Sequence, residues 1–306
     1  MSTSRQPPDL LSLMNDFVFK ALFGREEDEC RIMLTDFLNT VIYGPNQADR
    51  IKEIVYLNPF NPKEHQTDKL SVLDIKVMTA KGIRINVEVQ VSNVDNYRKR
   101  SLYYWSRLYG EGISESDYYE VLKKAIIVNI IDFNLIQEST RYHTSFLIME
   151  KDEHFVLMDD LEIHYLELGK YKTREDLESI TGIELWLTFF KEVGSKPGLE
   201  KLKKIAERSE TISMALKNLE KISADEVMRI KSLEREMSRR DEISRLKYAE
   251  EKGIKKGMEK GMEKGLENTL TALELFRQGK DLDYVREKTG LDQESLIKIQ
   301  AQAQVR

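Results

Sequence analysis

Apolar side chains recur at helical spacing through the first forty residues. Leu10, Leu13, Met14, Phe17 and Leu22 predict a helix over 9–23 that Gly24 stops. Ile32, Leu34, Phe37, Leu38 and Val41 predict a second over 27–42, ended by Gly44-Pro45. A short strand is expected from Ile51 to Leu57, followed by a proline-containing loop over Asn58–Asp68.

The period then changes from 3.6 to 2. Residues 72–78 read VLDIKVM and 83–91 read IRINVEVQV, separated by Thr79, Ala80, Lys81 and Gly82. Leu73, Ile75, Val77, Ile83, Ile85, Val87, Val89 and Val91 fall on odd positions; Asp74, Lys76, Arg84, Asn86, Glu88 and Gln90 fall on even ones. This is a β-hairpin with one fully apolar face. A turn centred on Lys81 sets Asp74 opposite Glu88 and Lys76 opposite Asn86, with Gln90 further along the same polar face.

A helix rich in Tyr, Trp and Arg follows at 96–110. The run KAIIVNIIDF at 124–133 suits a strand buried on both faces. Further strands are expected at 143–149, 154–158 and 161–168, and one or two helices within 173–193. After Pro197-Gly198 the chain reads as almost uninterrupted amphipathic helix to about 251. Leu202, Ile205, Ile212, Leu216, Leu219, Val227, Ile230, Leu233 and Met237 form a coiled-coil-like stripe with register slips. Gly253, Gly257, Gly261 and Gly265 then recur every fourth residue. Such a stripe permits close backbone approach and self-association, or, because glycine weakens a lone helix, marks a frayed tether. The last 36 residues predict three short helices, with Gly279 closing the first, the second over Leu282–Lys288, and Asp292 capping the third.

Length, 306 residues, suggests about two domains. With 41% hydrophobic residues the chain can bury a core. Mean hydropathy of −0.49 and the lack of a long apolar run argue against membrane insertion. The first twenty residues lack the apolar segment of a secretory signal, so a cytoplasmic location is expected. Cys30 is the only cysteine, which excludes an intrachain disulfide and a thiolate zinc site. His65, His143, His154 and His164 are scattered without metal-ligand spacing. Residues 1–196 carry 24 basic and 32 acidic side chains and residues 197–306 carry 24 and 21, so neither half is a basic nucleic-acid footprint. The terminal segment DLDYVREKTGLDQESLIKI has helix-turn-helix form, but its last helix opens on Asp292, Gln293 and Glu294, which favours packing or association over base reading. Trp105 and Trp186 are expected in the core, and no P-loop, dinucleotide fingerprint or nucleophile elbow is present.

Two facing carboxylates repel unless a cation lies between them. Oxygen ligands of this kind suit Mg²⁺ or Mn²⁺, which supports phosphoryl chemistry. The alternative reading of Asp74 and Glu88 is a solvent-facing hairpin with ordinary exposed polar residues.

Asp74, then thirteen residues, then Glu88-Val89-Gln90 resembles the core of the PD-(D/E)XK nucleases. An ordered set of strings is similar to the recombination-promoting nuclease/transposase family of that superfamily: NDFVFKALFG at 15–24, SVLDIKV at 71–77, INVEVQ at 85–90, RSLYYWSRLY at 100–109, KKAIIVNIIDF at 123–133, and the EKGxEKG repeat. The resemblance spans nearly the whole chain and is loosest over 170–250. It implies an α/β fold: a restriction-endonuclease-like mixed sheet flanked by helices over 1–170, a helical arm over 171–250, a glycine-repeat helix or tether over 251–267, and a small three-helix unit over 268–306. It implies a divalent-metal-dependent DNA endonuclease linked to recombination, mobile elements or defence, with Asp74 and Glu88 as metal-binding acids. Gln90 stands where the superfamily usually has lysine; the resembled family characteristically has glutamine there, which orients water but carries no charge. Lys76, on the same predicted face, is a candidate for that charge. Asp16 matches an acid on the family's first helix, either beside a metal-bound water or as a first-turn helix acid near Lys20. Arg100 and Tyr104, one turn apart, either contact the scissile phosphate or pack helix to sheet with Arg100 holding a carboxylate. The competing class is a nuclease-fold DNA-binding or regulatory protein without turnover. A homodimer, or a dimer-based oligomer, held by residues after about 198 is expected, because the apolar and glycine stripes have no evident partner within the chain.

Overall fold

The computed structural model describes residues 9–46, 48–60, 75–92, 96–195 and 198–303. Within them the first helix is α1 (Asp16–Phe23), followed by α2 (Asp28–Ile42), β1 (Ile54–Tyr56), β2 (Ile75–Thr79) and β3 (Arg84–Gln90). Helix α3 (Tyr97–Gly110) leads to β4 (Ala125–Ile131), β5 (His143–Met149) and β6 (Val156–Glu167). Helices α4 (Ile183–Glu192), α5 (Gly198–Arg208), α6 (Glu210–Ala224), α7 (Glu226–Arg277), α8 (Leu282–Thr289) and α9 (Gln293–Ala303) complete the chain. Among the described residues no helix is long and apolar enough to cross a membrane.

The six strands form one mixed sheet in the order β1-β2-β3-β4-β6-β5. β3, β4 and β6 run parallel; β1–β2, β2–β3 and β5–β6 pair antiparallel. A parallel neighbour requires a crossover, and α3 supplies it between β3 and β4. β4 is therefore buried along its whole length. Ile126, Val128 and Ile130 join Ile85 and Val87 in the larger core, with side chains of α1, α2, α4, α5 and α6. Ala125, Ile127 and Ile131 join the smaller core under α3, beside Tyr97, Leu108, Ile163 and Tyr165.

Contacts divide the chain into two compact units, 1–236 and 237–306. In the second, the end of α7 meets α8 and α9 over Ala272, Val285, Leu296 and Ile299. In the first, Leu202, Ile205, Ile212, Leu216, Leu219 and Ile222 lie in the larger core. This corrects the expectation that the stripe from 202 to 237 lacks a partner within the chain: its first part is core, and Val227, Ile230, Leu233 and Met237 are the exposed remainder.

Local chemistry accounts for the other departures. The first helix begins at Asp16, not residue 9, because the Asn15 side chain caps it, accepting from the N–H groups of Phe17 and Val18. β1 is shorter than expected because Asn39 brackets the Ile51 backbone, donating to its carbonyl at 2.9 Å and accepting from its N–H at 2.7 Å. The strands expected at 154–158 and 161–168 are one strand. Asp159 and Asp160 do not break it, since Lys124 meets Asp159 at 2.7 Å and the Tyr109 hydroxyl donates to Asp160 at 2.6 Å. Within 173–193 only Ile183–Glu192 is helical. The long amphipathic stretch is three helices, since Ser209 caps α6 and Asp225 accepts from the Met228 N–H at the start of α7. The glycine repeat lies within α7, and beyond the helix's own nearby backbone no described atom stands within 4 Å of where a Cβ would sit at any of its four glycines. The first of the three expected terminal helices is the end of α7, closed by Gly279 at φ +75°.

If α6 belongs to the core of the first unit, Leu219→Ala should lower its unfolding free energy by about 2–5 kcal/mol. Urea unfolding followed by tryptophan fluorescence reads this, since Trp186 shares that core. A change below about 1 kcal/mol would mark α6 as a peripheral arm.

Candidate active site

β2 and β3 pair as Ile75↔Val87, Lys76↔Asn86, Val77↔Ile85 and Met78↔Arg84, the register expected for a turn centred on Lys81. Asp74, the expected partner of Glu88, lies outside the described residues. The polar face of the hairpin is not solvent-facing: Asn86 is 2% exposed and Glu88 3%. The reason is α3, which lies over this face and buries Tyr97, Ser101 and Leu108, positions four and then seven apart on one side of the helix.

Burying a carboxylate is costly unless charge and hydrogen bonds meet it. Arg100 provides both, donating from one terminal nitrogen to Glu88 Oε1 at 2.8 Å. Its Nε donates to the Tyr104 hydroxyl at 2.8 Å, and its guanidinium lies over the rings of Tyr97 and Tyr104 at 5.7 and 5.1 Å. Burial works against the charge on Arg100, but Glu88 together with the hydroxyls of Tyr104 and Tyr97 outweighs it and holds the guanidinium's pKa above its ordinary value. Burial, then the nearby Glu88 charge, push the Tyr97 hydroxyl well up. That hydroxyl donates to Asn129 Oδ1 at 3.1 Å, and Asn129 donates to Ser101 and to the His164 carbonyl. Asn129 stands beside Glu88 in the β3–β4 register. Arg100 thus holds a carboxylate and meets Tyr104 one turn on, as in one of the two arrangements the sequence left open.

Gln90 ends β3 half-exposed, its amide nitrogen donating to the Ser92 carbonyl at 3.1 Å. Its backbone carbonyl accepts from the N–H of Asp132, an exposed residue just past the end of β4. Asp132 was not singled out from sequence; its position directly after a fully buried parallel strand is the signal that finds it. Lys76 shares the Glu88 face as predicted but stands opposite Asn86, and its ammonium meets Glu111, at the end of α3, at 3.2 Å. Asp16, at the start of α1, is engaged by Arg235 of α7 through contacts of 2.7 and 2.8 Å to Oδ2 and 3.0 Å to Oδ1. Asn15 donates to the Ser232 carbonyl in the same clasp.

The histidines that look scattered in sequence are partly brought together. His143 Nε2 and His164 Nδ1 lie 3.0 Å apart across β5 and β6. His164 Nε2 is 2.9 Å from Glu162, which also meets Lys124 at 2.6 Å. Burial and then the neighbouring His164 lower the His143 pKa to about 4. Burial alone would raise Glu162, but the bond from His164 and the Lys124 ammonium carry it down to about 2. Among the described residues no group of three or more His, Cys, Asp or Glu side chains forms a metal site.

Two tests follow from this geometry. Arg100→Ala should destabilise the first unit by about 3 kcal/mol, and adding Glu88→Gln should restore part of that loss in a double-mutant cycle read by urea unfolding. Additive losses would show that the two groups do not act as a pair. For His143, the unfolded chain binds a proton below about pH 6.5 that the folded chain refuses until about 4. Its contribution to stability should therefore fall as pH drops through that window. Melting temperature against pH should flatten there in His143→Gln.

No curated protein and no solved structure matches the chain. A family model described as PD-(D/E)XK nuclease family transposase matches residues 13–249. That span takes in the hairpin with Glu88 and Gln90, the helix with Arg100 and Tyr104, the β4 strand and the Asp16 clasp. The chain belongs to the PD-(D/E)XK nuclease family of transposases.

Proposed function

We propose that this protein is a divalent-metal-dependent DNA endonuclease whose centre is built on Asp74, Glu88 and Gln90. The observation that carries the reading is the buried Glu88 carboxylate near the end of β3, on a face covered by α3, in a hairpin with the sequence-predicted register. PD-(D/E)XK nucleases generally use divalent metals, and the oxygen donors on this face are of the kind a hard cation takes. Asp74 and Glu88 would hold Mg²⁺ or Mn²⁺. A cation bound there supplies positive charge to the phosphodiester.

The remaining roles belong to the chain itself. Gln90 orients the attacking water through its side-chain amide. Arg100 fixes the rotamer of Glu88 and brings a guanidinium to the same face, and Tyr104 steadies Arg100. Asp16 sits in the α1–α7 clasp and bears on the site through α1. Lys76 is on the site's face, but its charge is matched by Glu111. The DNA-binding reading without turnover is favoured by one observation, the uncharged Gln90 at the position of the superfamily's lysine.

Supercoiled plasmid incubated with the full chain and Mg²⁺ or Mn²⁺ separates the readings. Nicking or linearisation should appear with wild type, disappear with chelator, and fall at least about a hundredfold in Asp74→Ala and Glu88→Gln. Gln90→Ala should reduce cleavage, whereas Gln90→Lys should retain or raise it. Lys76→Ala should cost less than about tenfold, since its ammonium is already paired; a loss matching Asp74→Ala would assign it the missing positive charge. DNA binding without cleavage under both metals would establish the non-catalytic alternative.

A further inference from the structure

Arg100 reaches Glu88 from a helix, and among the described residues the other polar and ring partners of its guanidinium lie on that same helix. One terminal nitrogen meets Glu88 Oε1 on β3 at 2.8 Å. Nε donates to the Tyr104 hydroxyl, and the guanidinium lies over the rings of Tyr97 and Tyr104. Those tyrosines stand three residues before and four residues after Arg100, so the three side chains share one side of α3. Tyr97 is fixed in turn by its bond to Asn129. Breaking the bond to Glu88 therefore leaves the guanidinium with a hydrogen bond and two ring contacts of its own helix.

The two partners differ in their access to water. The Glu88 side chain is 4% exposed and that of Arg100 is 33% exposed. A carboxylate so deeply buried requires a positive partner, whereas a guanidinium at the wetter end of the pair is solvated in part without one. On the metal-site reading proposed above, on which this inference rests, Glu88 is also a ligand for a divalent cation. Two positive groups then seek one buried carboxylate, and in a site with little water they repel each other strongly.

We propose that Arg100 competes with the divalent cation for Glu88: it holds the carboxylate until the cation takes it, and then stays on α3 with its charge no longer matched by Glu88. Cation binding and the Arg100–Glu88 pair are negatively coupled, and the coupling is reciprocal. Before loading, the buried carboxylate is satisfied by the chain itself, so the α3 face packs without metal. After loading, an unmatched guanidinium stands on the face of the proposed centre, and its fork of donors suits a phosphate. A role confined to holding the Glu88 rotamer has the opposite sign, since loss of Arg100 would then weaken cation binding.

Mn²⁺ titration of the full chain without DNA, read by the electron paramagnetic resonance of the free ion, decides the sign. Arg100→Gln keeps donor groups but removes the charge, and it should bind Mn²⁺ at least about tenfold more tightly than wild type; circular dichroism confirms that it is folded. Glu88→Gln should abolish the binding. A second measurement uses the wild-type chain alone. With ¹⁵N-labelled arginine, the guanidinium protons of Arg100, assigned by their proximity to the Tyr97 and Tyr104 rings, should lose their slow exchange with water when Mg²⁺ is added to saturation. Equal or weaker Mn²⁺ binding by folded Arg100→Gln, or Arg100 protons that stay protected in saturating Mg²⁺, would overturn the competition while leaving the metal site standing. Absence of Mn²⁺ binding in wild type, or binding that survives Glu88→Gln, would overturn the metal-site reading and the competition with it.

Discussion

A carboxylate almost removed from water must be met by charge and hydrogen bonds, and Glu88 sets that condition for the whole α3 face of the sheet. β3 is buried on both sides because β4 runs parallel to it and α3 must cross over between them. The crossover helix cannot then be apolar throughout, since it lands on Asn86, Glu88 and Asn129. Its sequence answers with no acidic residue, an arginine at the turn that reaches Glu88, and Tyr97 and Ser101 to satisfy Asn129. Glu88, Arg100, Tyr104, Tyr97, Asn129 and Ser101 form a connected set whose members each fix the next, while the buried Asn86 Oδ1 stands outside it. A single apolar substitution among them leaves a buried partner exposed to its desolvation cost.

The strand framework was legible because its signal is local. Odd-even alternation over 75–90 determines the faces, a turn centred on Lys81 sets the register, and the observed pairing of Lys76 with Asn86 is the one the two together dictate. The apolar run of β4, broken only by Asn129, likewise declares a strand covered on both sides. What alternation does not encode is what lies over the polar face. Asn86 and Glu88 look like exposed residues in a one-dimensional reading, and only the α3 crossover buries them. The same limit explains the stripe from 202 to 222. Helical periodicity shows that those positions share a face, but not that α2 and α4 wait to receive it. Side-chain caps at Ser209 and Asp225 divide that stretch into separate helices, which lets each turn its apolar side inward.

Long-range polar contacts were the least legible. His143 and His164 are 21 residues apart, and only the β5–β6 pairing brings them to hydrogen-bonding distance. Asp16 and Arg235 are 219 residues apart, and nothing in the spacing of either announces the other. Their contact is nonetheless part of a wider clasp. Arg229 donates to the Asp9 carbonyl, Asn15 donates to the Ser232 carbonyl, and Lys231 lies over the Phe17 ring at 5.9 Å. The entry to α1 is thereby fixed by the start of α7, which ties the position of the first-helix acid to a helix far along the chain.

The charge inventory of the site gives the uncharged Gln90 a physical context. The first half of the chain is acidic overall, and the nuclease proposed above would need a positive group near the developing phosphate charge, which a lysine at the end of β3 would supply most directly. Here the positive group on that face is Arg100, delivered from the crossover helix and held in place by the Glu88 carboxylate, Tyr104 and two aromatic rings. A guanidinium so anchored is a fixed dipole partner rather than a mobile ammonium, and it remains charged at any accessible pH. Lys76 is less suited to the task, because Glu111 neutralises it and it stands opposite Asn86, not Glu88. On the proposed nuclease reading, moving the positive charge from strand to helix would leave position 90 to a side chain that orients without adding charge, which is the division of labour a glutamine there permits.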